Sequence, residues 1–229
     1  MRAKIISLPN DKQSIALADR CIESSDRVEN DFKVQYFRAF TSDEVYTLFR
    51  EMKLLWNYPW TTGVLDIQSG LFKSPYATRY PAKRMACFLS HFMLWRECAS
   101  YDEPYIILEH DALFQRKLDL NECHTYDVIS LNDPRGATRL SGQYHDQING
   151  KELAPCPYID KNRQTPQGLP GNSAYYITPK GAKKLIELVR EYGAWPNDAI
   201  MCNQLMPNML GCIGNYVTTI QRSVSTTTK

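Results

Sequence analysis

The sequence of 229 residues predicts an α/β fold, with a mostly parallel sheet flanked by helices, in a single domain over residues 1–229. Short strand-like runs alternate with segments of helical periodicity, which is the pattern typical of a parallel sheet with helical crossovers. The hydrophobic fraction of 43% is enough to build one full core. No internal repeat or second domain is evident along the chain.

The first quarter of the chain alternates strand, helix, strand and helix. Residues 3–8 form a short β-type run that stops at a Pro-Asn-Asp turn signal. Residues 14–22 carry apolar side chains at helical spacing, which predicts a helix packed on one side. Residues 34–40 predict a second strand, and a second helix is predicted to follow Ser42, which would cap it.

The middle of the chain contains the strongest helical signal. Residues 57–81 are rich in Pro, Gly and Tyr without a clear period, which predicts a loop. Residues 86–99 have helical periodicity and are apolar nearly all round, so this helix is predicted to be buried. Two strands are predicted to follow, at residues 105–108 and 126–131.

The last part of the chain begins with a long irregular segment. Residues 133–170 hold five prolines, and a segment of this length without clear elements is usually functional or mobile. Residues 178–193 predict a well-marked helix, with Thr178 as its cap and Gly193 at its end. The remaining predicted elements are a strand at 173–178, a short helix within 195–205 and a final strand at 214–221.

Charge and composition exclude several classes of protein. The net charge of +2 is too small to predict a polyanion partner such as nucleic acid. The chain shows neither a signal peptide nor an apolar run near the roughly 20 residues that a membrane helix needs. The seven cysteines include no CxxC pair, so they are typical of small buried residues in a reducing compartment. We therefore expect a soluble, cytoplasmic protein.

The stretch YIILEHDALF, residues 105–114, places three ionisable side chains where a buried strand should end. Alternate residues of a strand share a face, so Glu109 and Asp111 are predicted to point one way and His110 the other. Two carboxylates at the carboxyl edge of an open sheet can hold a divalent cation, which can in turn bridge a diphosphate. Alternatively, the two acids are a solvated strand terminus.

Five motifs resemble, in the same order, those of glycosyltransferase family 25, the family of lipopolysaccharide-type galactosyltransferases. They are CFLSHFMLW, EPYIILEHDALF, YDVISLN, GNSAYYITPKGAKKLI and WPND, and they run from Cys87 to Asp198. The resemblance is weaker before Cys87. It implies a GT-A-like (Rossmann-like) fold and an inverting transfer of galactose or glucose from a UDP-sugar to a glycan acceptor similar to lipopolysaccharide.

The resemblance also implies roles for the acids. In such enzymes an acidic triplet at a strand end binds Mn²⁺ or Mg²⁺ and the donor, which makes Asp111 the direct metal ligand and Glu109 its companion. His110 departs from the family, which usually has Asp there, and the strand alternation points it away, so it is a weaker metal-ligand candidate. Asp198 matches the family's later Asp and is the candidate catalytic base. Its alternative role is a helix N-cap.

Other residues are predicted to contact the nucleotide-sugar donor, each with a structural alternative. Ser90 and His91 lie inside the buried helix, where a histidine is more often a satisfied core residue. The resemblance implies that they hydrogen-bond the nucleotide or hold the acidic strand end. Arg84 belongs to a basic cluster with Arg79 and Lys83, which suits bidentate phosphate contacts, although a solvated loop is the default reading of such a cluster. The remaining donor-binding candidates are Ser7, Leu8 and Phe40 near the opening strand, and Gly171 and Asn172 at a small-residue turn.

The sequence thus predicts a metal-dependent hexosyltransferase, with residues 133–170 as a candidate acceptor-side flap. Two alternatives remain open. The first is a non-catalytic nucleotide- or sugar-binding module, in which His110 marks a degenerate acidic motif. The second is a metal-dependent phosphohydrolase that uses the same acids, although such an enzyme needs further carboxylates around a second metal ion.

Overall fold

A computed structural model describes residues 1–135, 140–159, 163–169 and 171–221. Its strands are β1 (Arg2–Ser7), β2 (Val34–Arg38), β3 (Val64–Asp66), β4 (Leu71–Lys73), β5 (Tyr105–Glu109), β6 (Ala112–Phe114), β7 (Val128–Ser130), β8 (Ala154–Pro155), β9 (Ala174–Ile177), β10 (Leu210–Cys212) and β11 (Thr218–Ile220). Its helices are α1 (Lys12–Arg27), α2 (Val45–Glu51), α3 (Pro81–Tyr101), α4 (Ser141–Ile148), α5 (Pro179–Tyr192) and α6 (Asn197–Ile200), with a 3₁₀ turn at Leu120–Cys123. Parts of the candidate flap, at 136–139, 160–162 and 170, lie outside the described residues.

Seven strands form the central sheet in the order β2-β1-β5-β9-β7-β10-β8. Strands β2, β1, β5, β7 and β10 run in one direction, and β9 and β8 run against them. Two smaller antiparallel pairs, β3 with β4 and β6 with β11, lie outside this sheet. The prediction of an α/β fold with a mostly parallel sheet flanked by helices is confirmed.

Strand β9 lies between two parallel strands and runs opposite to both. Its register pairs Tyr105 with Ile177 and Leu108 with Ala174, so β9 begins where β5 ends. The same strand pairs its Tyr175 with Ser130 of β7. The carboxyl ends of β5 and β7 and the first residues of β9 therefore meet at one edge of the sheet.

Both faces of the sheet are covered, because alternate residues of β5 enter different apolar clusters. Tyr105 and Ile107 join a large cluster that includes residues of α3 and α5. Ile106 and Leu108 join a second cluster with residues of α1. All four side chains are fully buried, and full burial of an aliphatic side chain stabilises a fold by about 1.5–3 kcal/mol.

Helix α3 is buried on several sides, as predicted from its apolar composition. It begins at Pro81, earlier than the sequence indicated, and ends before Asp102, which adopts a left-handed conformation with a φ of 53°. Its buried residues include Phe88 and Trp95, which lie seven positions apart and make an edge-to-face ring contact at 6.1 Å. Within the described part of the chain, no helix combines the length and apolarity needed to cross a membrane.

Capping groups explain where α5 begins and ends and where α1 begins. The hydroxyl of Thr178 accepts a hydrogen bond from the N–H of Gly181 at 3.0 Å, and Gly193, with a φ of 80°, follows the end of α5, so the predicted ends of this helix are confirmed. Helix α1 begins earlier than predicted, because the carboxylate of Asp11 caps it by accepting from the N–H of Ser14 at 2.8 Å.

Three local predictions are wrong. Ser42 does not cap α2, which begins at Val45. Residues 57–81 are not all loop, since β3 and β4 pair there and bury Lys73 against Asp66, with 3.2 Å between the charged atoms. The candidate flap carries α4 and β8 rather than lacking regular elements. Strands of two or three residues are too short to show alternation, which is why the sequence did not reveal them.

Candidate active site

The carboxyl edge of the sheet brings the predicted site segments together through main-chain hydrogen bonds. Glu109, the last residue of β5, donates its backbone N–H to the carbonyl of Ser173 at 2.8 Å. Leu131, just after β7, donates to the carbonyl of Ala174 at 3.1 Å. Ser7 ends β1, which pairs directly with β5. Side chains that follow these three strands therefore share one region, as expected for an open α/β sheet.

The carboxylate of Glu109 contacts one end of a buried chain of hydrogen-bonded side chains. Nε2 of His91 lies 3.2 Å from Oε1 of Glu109, and Nδ1 of His91 lies 2.9 Å from the hydroxyl of Tyr175. The indole N–H of Trp95 donates to the same hydroxyl at 2.8 Å. Burial alone would raise the pKa of Glu109, but the hydrogen bond from His91, together with His110 and Arg84 nearby, lowers it below its ordinary value.

Asp111 lies in the turn after β5, because that strand ends at Glu109. The strand alternation therefore does not reach Asp111, and the argument for a shared face does not apply. The two acids interact nonetheless: burial, and then the charge of Glu109, raise the pKa of Asp111 to about 7. Its Oδ1 is buried and has no hydrogen-bond partner within the described residues.

His110 is half-buried in the same turn. Burial lowers the pKa of His110, although the charges of Glu109 and of Asp11, the cap of α1, act in the opposite direction. The imidazole thus lies within the field of two acids on different elements. Its role as a metal ligand stays a prediction.

Asp198 lies in the first turn of α6, and the structure overturns its predicted alternative role as a helix cap. The capping position is Pro196, and no side chain caps this helix. The side chain of Asp198 is exposed, yet protein atoms crowd around its carboxyl, as on the wall of a crevice. This crowding raises the pKa of Asp198, Arg84 lowers it and Glu109 raises it, so the three charged groups are close enough to interact.

Arg84, near the start of α3, is the cation that interacts with both Asp198 and Glu109. Its Nη1 donates to the hydroxyl of Tyr76 at 3.0 Å, and the guanidinium carbon lies 4.5 Å from the centre of the Tyr76 ring. Its Nε is buried and has no hydrogen-bond partner within the described residues. The other members of the predicted basic cluster differ: Arg79 is exposed, and Lys83 lies over the ring of Tyr80 at 4.6 Å.

Ser90 and Phe40, two predicted donor contacts, bond to each other. The hydroxyl of Ser90 donates to the carbonyl of Ala86 at 2.9 Å and accepts from the backbone N–H of Phe40 at 3.0 Å. Ser90 is buried, and the ring of Phe40 packs against the large apolar cluster. In the structure these residues tie α3 to the segment after β2.

Gly171 and Asn172 lie just before β9, at the same edge. Gly171 has a φ of 91°, which favours glycine, and its N–H donates to the carbonyl of Leu169 at 2.8 Å. Asn172 is 8% exposed, and neither atom of its side-chain amide has a partner within the described residues. The hydroxyl of Ser173 is likewise buried without one. Unsatisfied buried polar groups are costly, so such a group often faces a ligand.

A hollow of about 360 Å³ lies at the carboxyl ends of β1 and β2. The N–H of Leu8 donates to the hydroxyl of Ser14 at 2.9 Å, which fixes the backbone at its rim. Phe40, a predicted donor contact, does not line this hollow. Tyr36 and Arg38 of β2 do line it, and they were not predicted as site residues because they belong to no motif. The lining residues are Ser7, Leu8, Pro9, Ile15, Tyr36, Phe37 and Arg38.

Cys87 and Tyr175 are further site residues that the sequence analysis missed. The ligand atoms of Cys87, His91 and Glu109 all lie within 4.8 Å of one another, so these three are a second candidate set of metal ligands. Burial, and then the charges of Glu109 and Asp198, hold the pKa of the Cys87 thiol well above its ordinary value, which disfavours the thiolate that metals prefer. The four-residue spacing of Cys87 and His91 on a helix was a usable signal.

The site fits a hard divalent cation. Glu109 and Asp111 are like charges whose interaction raises the pKa of Asp111 beyond what burial does, and an added cation relieves such repulsion. Carboxylate oxygens are the ligands that Mg²⁺ and Mn²⁺ prefer, and the Oδ1 of Asp111 is free to serve as one. The carboxylate oxygens at this site are therefore the type of ligand that the predicted Mn²⁺ or Mg²⁺ prefers.

Comparison with known proteins gives short or distant likenesses. The chain is 54% identical over 35 residues to the lipooligosaccharide biosynthesis protein lic2B of Haemophilus influenzae, a stretch that covers 15% of this chain and only 13% of lic2B. It is similar to an active-site mutant of LgtC, with 11% identity, a TM-score of 0.47 and coverage of 98% and 88% of the two chains. It is also similar to the glycosyltransferase GlyE of Streptococcus pneumoniae, with 11% identity, a TM-score of 0.41 and coverage of 93% of this chain and 45% of GlyE. Structural likenesses at these scores carry no inference about activity.

The family comparison covers most of the chain. Residues 5–201 match the family described as "Glycosyltransferase family 25 (LPS biosynthesis protein)". The matched range includes every residue of the candidate site, from Ser7 to Asp198. This chain belongs to glycosyltransferase family 25.

Proposed function

We propose that this protein transfers a hexose, galactose or glucose, from a UDP-sugar to a hydroxyl group of a glycan, with inversion at the anomeric carbon and with Mn²⁺ or Mg²⁺ as cofactor. The observation that carries the proposal is the pair of acids after β5. Burial and the charge of Glu109 raise the pKa of Asp111 to about 7, and its Oδ1 has no partner within the described residues. Acids whose pKa is shifted by burial and by a neighbouring charge are typical of functional sites.

Glu109 and Asp111 would hold the cation through their carboxylate oxygens, with His110 as a weaker candidate. One oxygen of Glu109 bonds to His91, and its other oxygen makes no hydrogen bond within the described part of the chain. About a third of the Glu109 side chain, 31%, is open to solvent, so a ligand can reach it. Bound there, the cation would supply positive charge for the diphosphate leaving group.

The donor would extend along the carboxyl edge of the sheet. The nucleoside would occupy the hollow beside Ser7 and Leu8. Arg84, whose Nε lacks a partner within the described residues, would bond a phosphate oxygen, because a guanidinium pairs well with phosphate. Both polar atoms of the Asn172 amide would hydrogen-bond to hydroxyls of the transferred sugar or of the ribose.

Asp198 is the proposed general base, which takes the proton of the acceptor hydroxyl as that oxygen attacks the anomeric carbon. The crowding that raises the pKa of Asp198 makes its carboxylate a stronger base, and the exposure of its side chain leaves room for an acceptor. A general base must be ionised to accept the proton of the acceptor, and the charge of Arg84 favours that form.

The proposed acceptor is a glycan of lipopolysaccharide type. The family description and the name of lic2B support this class, although this chain matches a small part of lic2B. The segment 133–170, which carries α4, is the proposed acceptor-side flap. Limited proteolysis with and without UDP tests it, since unchanged cleavage within 140–159 would contradict closure over the donor.

Calorimetry with UDP, with and without Mn²⁺, and assays of donor hydrolysis test the proposal. Asp111→Asn should abolish metal-dependent UDP binding. Asp198→Asn should keep that binding and lower turnover by about 10²–10⁴-fold, the usual contribution of a general base. Asp43→Asn, which removes the charge of an exposed acid outside the site, is the matched control and should change neither quantity.

Each alternative has its own outcome in these assays. UDP binding without any turnover of UDP-galactose or UDP-glucose would favour a non-catalytic binding module. Release of phosphate from simple phosphate esters would favour a phosphohydrolase. Absence of nucleotide binding in the presence of Mn²⁺ would overturn the proposal.

A further inference from the structure

We infer that Trp95, Tyr175 and His91 form a directed hydrogen-bond relay that fixes the Nε2–H tautomer of His91 and so orients the carboxylate of Glu109. His91 is then a positioning residue that acts on the substrate only through Glu109. The importance of this relay for activity rests on the proposed function, whereas the direction of its hydrogen bonds follows from donor and acceptor chemistry alone.

The direction of the relay is set at Trp95. An indole N–H can only donate, and it lies 2.8 Å from the hydroxyl oxygen of Tyr175, so that oxygen is the acceptor. The hydroxyl then has one proton to donate, and its second partner within the described residues is Nδ1 of His91 at 2.9 Å. Trp95, Tyr175 and His91 are all fully buried, so water is not an alternative partner.

Only one protonation state of His91 satisfies every partner. With the proton on Nδ1, the bare Nε2 would face an oxygen of Glu109, and the hydroxyl of Tyr175 would lose its acceptor. With protons on both nitrogens, Tyr175 would receive two hydrogen bonds and its own proton would be buried without a partner, which is unfavourable. With the proton on Nε2 alone, Trp95 donates to Tyr175, Tyr175 to His91, and His91 to Glu109.

Two further observations agree with this direction. Burial holds the pKa of Tyr175 well above its ordinary value, so the phenol keeps the proton that it donates. The rings of His91 and Tyr175 are stacked at 5.8 Å with 20° between their planes, which restricts rotation of the imidazole. The relay therefore occupies one oxygen of Glu109 and leaves the other towards the open side of the site.

Nuclear magnetic resonance of metal-free protein with ¹³C,¹⁵N-labelled histidine tests the tautomer directly. The chain has four histidines, and His91→Gln identifies the signals of His91. At about pH 8 we expect the Nε2–H form in the wild type. Because the carboxylate of Glu109 by itself also favours a proton on Nε2, the contribution of Tyr175 is measured in the Glu109→Gln background, whose amide can donate or accept. The Nε2–H form should persist in Glu109→Gln and give way to a mixture of both neutral forms in Glu109→Gln/Tyr175→Phe. Tyr176→Phe is the matched control, because Tyr176 is buried on the opposite face of β9, in the second apolar cluster.

Calorimetry with Mn²⁺ tests the consequence for Glu109. Loss of a group that orients a metal ligand commonly weakens binding by 10–100-fold, so we expect Tyr175→Phe and His91→Ala to bind Mn²⁺ about tenfold or more weakly. His91→Gln should recover part of this affinity, because its amide N–H2 reaches the position of Nε2. A merely structural role of His91 would not predict rescue by Gln over Ala.

The two proposals fail in different experiments. An Nδ1–H or doubly protonated His91 in the wild type at about pH 8, or an unchanged Nε2–H form in Glu109→Gln/Tyr175→Phe, would overturn the relay. The Nε2–H form in a protein that binds neither Mn²⁺ nor UDP would support the relay and refute the proposed function. Circular dichroism of each variant confirms that the fold is intact.

Discussion

Replacing Asp111 by Asn should stabilise the metal-free protein, and more so at high pH. Burial and the charge of Glu109 raise the pKa of Asp111 from 3.8 to about 7. Below pH 3.8 the carboxyl is protonated in both the folded and unfolded chain. As the pH rises towards 7 the unfolded chain loses the proton first, so the folded state becomes less stable across this window.

The size of the effect follows from the pKa shift. Raising the pKa from 3.8 to about 7 corresponds to about 4 kcal/mol at about pH 8, and less than half of this is present at about pH 5, because the folded carboxyl is still protonated there. Asp111→Asn removes the titration, so its stability advantage should grow by about 2–3 kcal/mol between these pH values. Comparing two pH values cancels any constant difference between Asn and protonated Asp.

Urea unfolding of both proteins in EDTA, at about pH 5 and about pH 8, measures this difference. Asp43→Asn, at an exposed position outside the site, is the control for loss of one negative charge. An advantage of Asp111→Asn that stays constant or shrinks as the pH rises would refute the reasoning. The same variant should fail to bind Mn²⁺, so stability and ligand binding would change in opposite directions.

Three further changes test contacts around the site. Ser90→Ala leaves the buried N–H of Phe40 without its acceptor and should lower the free energy of unfolding by about 1–3 kcal/mol, measured by urea unfolding. Lys73→Met removes the cation of a buried ion pair and should lower the same quantity by about 3 kcal/mol. Gly168→Ala adds a methyl group against the carbonyl of Asp198, and the resulting displacement of this proposed base should lower turnover about tenfold with little change in the dissociation constant for UDP.

Each of these changes has a matched control elsewhere in the chain. Gly142→Ala, in the same segment as Gly168, adds a methyl group with no described atom outside its own helix within 4 Å, and Lys33→Met removes the cation of an exposed ion pair. Ser42→Ala removes a hydroxyl whose one hydrogen bond within the described residues, to Asp43, is exposed. Equal effects in a test variant and its control would show that burial and close contact are not the cause.

Local signals made part of the fold predictable from the sequence. Helix α5 was predicted with both ends, because Thr178 and Gly193 act on backbone groups a few residues away. Helix α3 was found because its apolar composition repeats over 21 residues. The acids after β5 were placed at a sheet edge for a similar reason, since the strand before them is short and continuously apolar.

Long-range pairings could not be predicted in this way. The contact between His91 and Tyr175 joins residues 84 positions apart, and neither residue carries a local signal for the other. Strand β9 runs against its neighbours, which no periodicity within its four residues can indicate. The pairing of Ser90 with the N–H of Phe40 depends on how α3 crosses the end of β2, which is a tertiary arrangement.

The position of β9 also has a consequence for the order of folding. A ribosome releases β5 and β7 before β9, so until residue 177 has emerged both strands lack the neighbour that separates them in the sheet. Contacts of such long sequence separation form slowly, and unpaired strand edges invite aggregation in the meantime. We therefore expect fragments that end before β9 to aggregate rather than fold, and the acids after β5 to acquire their buried support only when the later half of the chain is complete.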